Sequence, residues 1–141
     1  MILRPRPPLV ALAEPLPRLR RALSAALEAR GCSVLEVQDG VELLEYLGQA
    51  STGDEDWPQL LVASEVMPGL GGLDVLSELQ EAGAARPPTI LLAARAARVR
   101  RAARALGVAV VLDKPPDPAS MGWWVQRLVA PEPVRLTIDG W

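Results

Sequence analysis

Five short apolar runs separated by amphipathic stretches predict an α/β protein, a doubly wound, five-stranded parallel sheet with helices on both faces. The runs are four or five residues long and mostly free of polar side chains, as strands covered on both faces are. Each is followed by leucine, valine and alanine at three- and four-residue steps, the spacing of one buried helix face. At 141 residues and 50% apolar, the chain has the length of one domain and the material for one core.

The first run is Leu9-Val10-Ala11-Leu12-Ala13. Leu16, Leu19, Leu23, Ala26 and Leu27 then mark a helix, with Pro17 in its first turn and Gly31 past its end. Ser33–Val37 reads as a second strand, and Asp39 is placed to cap a helix bearing Val41, Leu44 and Leu47. Residues 48–58, rich in Gly, Ser, Asp and Pro, read as a surface loop. Leu60–Ala63 is the third strand, followed by a helix with Leu73, Leu76 and Leu79. Thr89–Leu92 is the fourth, followed by a helix with Val99, Ala102, Ala103 and Leu106 on one side. Val108–Leu112 is the fifth, and Asp117-Pro118 opens a last helix reaching about Val129. Right-handed crossovers leave the doubly wound open sheet as the simplest topology. The expected organisation is a leader at 1–8, one domain over 9–130, and a tail at 131–141.

Composition removes several chemistries. With no histidine, Ser–His and Cys–His catalysis, His-ligated metals and phosphohistidine are excluded. Cys32 alone can form neither an internal disulfide nor a multi-cysteine zinc site. No Gly-x-Gly-x-x-Gly follows the first strand and no Gly-Lys-Ser/Thr occurs, so a glycine cradle for nucleotides is not expected. The first residues lack the apolar core of a signal peptide and no run is long enough to span a bilayer. These readings lead to the expectation of a cytoplasmic protein.

In a doubly wound sheet, ligands sit at the carboxyl ends of the strands. The residues there are Glu14 and Pro15, Asp39, Ser64, Ala93 and Ala94, and Asp113 and Lys114. Around them stand Glu65-Val-Met-Pro-Gly-Leu-Gly-Gly-Leu73 after the third strand and Asp113-Lys-Pro-Pro-Asp-Pro118 after the fifth. Glu28-Ala-Arg-Gly31 and Gln38-Asp39-Gly40 flank the second. In this order and on these elements, the segments resemble the receiver domain of two-component response regulators, over about Leu9 to Val129.

The resemblance implies the flavodoxin-like fold with strand order 2-1-3-4-5. It also implies a site in which two acids after the first strand and a phosphoacceptor aspartate after the third surround Mg²⁺. A hydroxyl after the fourth strand, a lysine after the fifth and an aromatic in the fifth complete the family pattern. On this chain the acid pair falls on Glu14 and Pro15, the phosphoacceptor on Ser64, the hydroxyl on Ala93, the aromatic on Val111 and the lysine on Lys114. Only Glu14 and Lys114 keep family side chains. The expectation is a receiver-like module that has lost aspartyl phosphorylation, holds no Mg²⁺ and is not an enzyme. Glu65 is expected to face away from the pocket, and Lys114 to pair with Glu14 across it.

Action then falls to surface contact. Residues 31–85 hold 11 acids and no Lys or Arg, whereas residues 86–104 hold six arginines and no acid. That division favours oriented association with a partner or a second copy; chance division of solvated surface is the plain alternative. In the family, the fourth helix, fifth strand and fifth helix form the usual contact face. There Arg100, Arg101 and Arg104 are expected to be exposed, with Trp123 pointing outward beside them. Trp123 is otherwise covered by the chain's own tail. The tail alternates apolar and polar from Val134 to Asp139 and ends at Trp141. It reads either as an extra strand or pairing arm or as a frayed terminus or linker stub. A second function is nucleic-acid binding by Arg98–Arg104, weakened by the overall charge of −2. A third is a phosphorelay receiver using Ser64 or a neighbouring acid.

Overall fold

The structure, a computed structural model, describes residues 6–129. Strands and helices alternate without exception: β1 (Leu9–Ala13), α1 (Pro17–Ala29), β2 (Ser33–Val37), α2 (Gly40–Ser51), β3 (Leu60–Ser64), α3 (Gly72–Glu81), β4 (Thr89–Ala93), α4 (Ala96–Ala105), β5 (Val110–Asp113) and α5 (Pro118–Leu128). The five strands form one parallel sheet in the order β2-β1-β3-β4-β5.

Alternation along the strands divides the core into two layers. Val10, Leu12, Leu60, Val62, Ile90 and Leu92 face α1 and α5, meeting Leu23, Leu27, Met121 and Val125. Ala11, Ala13, Leu61 and Ala63 face α2 and α3, meeting Leu43, Leu47, Val75, Leu76 and Leu79. Leu91, Ala93 and Val111 continue that second layer beneath α4. β3 and β4 are buried at every position, while the edge strands β2 and β5 are only partly covered. Each fully buried Leu or Val contributes about 1.5–3 kcal/mol, so the central strands dominate the apolar stabilisation.

Helix faces differ from expectation where leucines are adjacent. On α2 the buried side is Gly40, Leu43, Tyr46, Leu47 and Ala50, and Val41 is exposed. Leu43 and Leu44 are both apolar, and Tyr46 decides between them because its hydroxyl reaches the Asp56 carbonyl. Leu16 lies outside α1 as its N-cap residue and is exposed, as is Ala26, which lines the open groove between α1 and α5. On α4, Ala96 and Ala103 are buried and Ala102 is exposed, because Ala96 starts the buried line one turn earlier than Val99. α2 runs through Ser51 into the segment expected to be loop, and β5 starts at Val110 after a turn at Gly107. Residues 1–5 of the leader and the tail from 131, with Trp141, lie outside the described residues.

Candidate functional site

Glu14 follows β1, the second strand from the β2 edge, and Ser64 ends its neighbour β3. Parallel register therefore brings the two to one end of the sheet. Both are completely buried. Lys114 follows β5, two strands further along, and its backbone N–H donates to the Ala93 carbonyl at 2.9 Å. Ala93 ends β4 and is buried. The Lys114 ammonium sits 2.9 Å from Glu14 Oε2 and 3.1 Å from Oε1. The ion pair expected from the sequence is thus formed.

Other donors complete the carboxylate's shell. Ser64 Oγ donates to Glu14 Oε2, a contact not expected from the sequence. The backbone N–H of Leu16 donates to Oε1 at 3.1 Å, folding the Pro15-Leu16 turn over the acid. Arg20 of α1 holds the Glu14 carbonyl at 2.8 Å. A buried carboxylate is tolerable only when its charge is paired and its lone pairs are hydrogen-bonded, and both conditions are met. Glu14 also supplies the hydroxyl of Ser64 with an acceptor, where the sequence offered no histidine to do so. Ser64 has no exposed face for a phosphoryl donor to approach.

Pro15, beside Glu14, offers no side-chain donor or acceptor. Asp113 is occupied elsewhere: its Oδ1 accepts from the backbone N–H of Ala96 at 2.9 Å. It therefore caps α4, whose own N-cap residue, Arg95, makes no side-chain cap bond. That role was missed in the sequence, because residues 96 and 113 are 17 positions apart and meet only through the pairing of β4 with β5. Asp39 caps α2 by accepting from Glu42 N at 2.8 Å. Among the described residues, no three His, Cys, Asp or Glu side chains gather as a metal site.

The β3–α3 turn is shaped by Met67-Pro68-Gly69, with Gly69 at φ +77°. Gly72 lets α3 close onto β3: a Cβ there would lie 2.7 Å from the Ser64 carbonyl oxygen. Glu65, half-buried, gives its N–H to the Leu92 carbonyl and accepts from Gly72 N, and its side chain takes no part in the Glu14 cluster. Val111 is buried beneath α4.

On the outer surface, Arg100, Arg101 and Arg104 are exposed on α4. Trp123 is 52% exposed on α5. Its ring meets Trp124 edge-on at 4.9 Å, and the Arg127 guanidinium lies over it at 4.7 Å.

The fold has counterparts in known proteins. A family model described as the response regulator receiver domain matches residues 10–123. No curated protein matches the chain. Among solved structures, the receiver domain of a Francisella response regulator is 21% identical, with a TM-score of 0.74, covering 86% of this chain and 95% of that one. A response regulator receiver protein from Pseudomonas putida is 22% identical, with a TM-score of 0.75 and coverages of 86% and 97%. The N-terminal domain of an uncharacterized Wolinella succinogenes protein is 24% identical, with a TM-score of 0.72 and coverages of 86% and 92%. With the family match spanning most of its length and the sheet in the order the resemblance implied, this chain belongs to the response regulator receiver domain family.

Proposed function

We propose that this receiver-family domain is a cytoplasmic signalling module that acts by surface contact and carries no phosphoryl group at residue 64. One observation supports the reading above all others. The Glu14 carboxylate, the one acid fully buried at the strand ends among the described residues, is saturated by Lys114, Ser64 and the Leu16 N–H. Magnesium prefers six oxygen ligands in near-octahedral geometry. Pro15 and Ala93 supply none, and Ser64 directs its proton at the one carboxylate present. The residues here therefore do not suit the ion.

Lys114, the residue here able to meet a phosphoryl oxygen with a positive charge, is already engaged. Here the ammonium is spent on Glu14, and releasing it would strand a buried charge. The domain therefore catalyses nothing in this reading and keeps one rigid arrangement. Its signal leaves through side chains that are exposed whatever the pocket holds, among them Trp123 and the α4 arginines.

Incubation with acetyl phosphate and Mg²⁺, followed by intact-mass measurement, should leave the chain's mass unchanged. A gain of one phosphoryl group that is lost on Ser64→Ala would overturn the reading and favour a non-standard relay site.

A further inference from the structure

The charge division along the sequence becomes, in the fold, two parallel stripes on one face. α3 and α4 both pack on the layer formed by Ala11, Ala63, Leu91 and Val111. On α3 the buried side is Gly72, Val75, Leu76 and Leu79. At about 100° per residue, Asp74, Glu78 and Glu81 fall within roughly 60° of one another, centred about 140° away from that side. All three are exposed. On α4, Ala96, Val99 and Ala103 face the sheet, and Arg98, Arg100, Arg101 and Arg104 cover the outward arc. Ala97, Ala102 and Ala105 are exposed between the arginines, so the arginines rise from a low floor.

Neither stripe meets an opposite charge within the fold, although Asp74 also accepts from the backbone N–H of Gly71 at 3.0 Å. Among the described residues the ion pairs are Arg20–Glu36 and Lys114–Glu14, and neither includes a member of the two stripes. The face is thus acidic on one half and basic on the other, with both halves open. A two-fold axis between α3 and α4 would lay each acidic stripe on the other copy's basic stripe. Such an arrangement is self-complementary, as an isologous interface must be. A continuous nucleic-acid backbone would meet attraction on α4 and repulsion on α3, so it suits only half of the face.

We propose that two copies of this chain associate through the α3–α4 face, with Asp74, Glu78 and Glu81 of each copy against Arg98, Arg101 and Arg104 of the other. The proposal stands independently of phosphorylation at residue 64, and α5 with Trp123 lies on the opposite layer, free of this contact.

Sedimentation of the full chain at low and high salt tests it. The expected result is a dimer at low salt whose dissociation constant rises at least tenfold in 0.5 M salt, since exposed charge pairs are screened. Arg101→Glu/Arg104→Glu and Glu78→Arg/Glu81→Arg should each be monomeric, with unchanged circular dichroism. Mixing these two variants should restore a one-to-one dimer, because each reversed pair then faces an opposite charge on the other variant. A wild-type chain that stays monomeric at low salt, or a dimer that survives both reversals, overturns the proposal. So does a mixture that fails to reassociate. Tight binding of the monomer to duplex DNA, lost in the arginine reversal, would assign α4 to nucleic acid instead.

Discussion

Glu14 shows how a site residue can become a structural one without changing identity. Its side chain is inaccessible, and each oxygen already has a donor within hydrogen-bond reach. Truncating Lys114 to Met would leave that charge buried with a hydroxyl and one backbone amide. The expected cost is about 3–5 kcal/mol, read from urea unfolding. Glu14→Gln/Lys114→Met, which removes both charges but keeps an amide oxygen for Ser64 and Leu16, should recover at least half of the loss. Equal destabilisation of the single and double variants would contradict an ion pair at this position. The pairing of Lys114 with Glu14 was legible in the sequence, because a lysine at a strand end among apolar residues requires a counter-charge. The Ser64 contact was not: residues 14 and 64 are 50 positions apart, and only the β1–β3 register brings them together.

At the scale of elements, helix starts separate into local and borrowed caps. Asp39 and Asp117 cap the helices they precede, at 2.8 Å and 3.0 Å, and both helix starts were visible in the sequence. α4 takes its cap from β5 through Asp113, across 17 residues. Asp113→Ala should therefore lower stability by about 1 kcal/mol, and hydrogen exchange should quicken in the first turn of α4. Asp39→Ala should cost a similar amount while leaving α4 exchange unchanged. If Asp113→Ala speeds exchange only within β5, the borrowed cap has no energetic weight. The strands were the most legible elements, because a run such as Leu60-Leu61-Val62-Ala63 has one reading in a parallel sheet. Helix faces were less so: with Leu43 beside Leu44, periodicity alone admits two rotations, and packing against α3 and the Tyr46 hydrogen bond select one.

For the molecule as a whole, the absence of histidine means that no imidazole titrates near neutral pH. Among the described residues, two groups are shifted on the alkaline side. Burial raises the Cys32 thiol above its ordinary value, the nearby Arg30 opposing it only in part. Burial likewise raises Tyr46, with Glu55 and Asp56 adding to the effect. The folded state thus holds both protons more tightly than the unfolded chain does. The stability tied to them is complete below the ordinary thiol value, about 8.5, and is lost as pH climbs beyond it. The urea midpoint should accordingly fall between pH 8 and pH 11, and Cys32→Ala should delay the onset toward the tyrosine range. A midpoint that is flat through pH 11 in the parent chain would show that neither group is shielded. The family and the sheet order could be read from motifs in sequence order. The opposed stripes on α3 and α4 could not, because the outward side of a helix is known only once its neighbours are in place.

The ion pair that closes the strand ends joins positions 100 residues apart. As the chain leaves the ribosome, β1 and β3 emerge well before the lysine that neutralises Glu14. Until position 114 clears the exit tunnel, the nascent sheet must keep that carboxylate in water or bury it uncompensated. The first and third strands therefore gain the full stability of their carboxyl ends only when the last strand arrives.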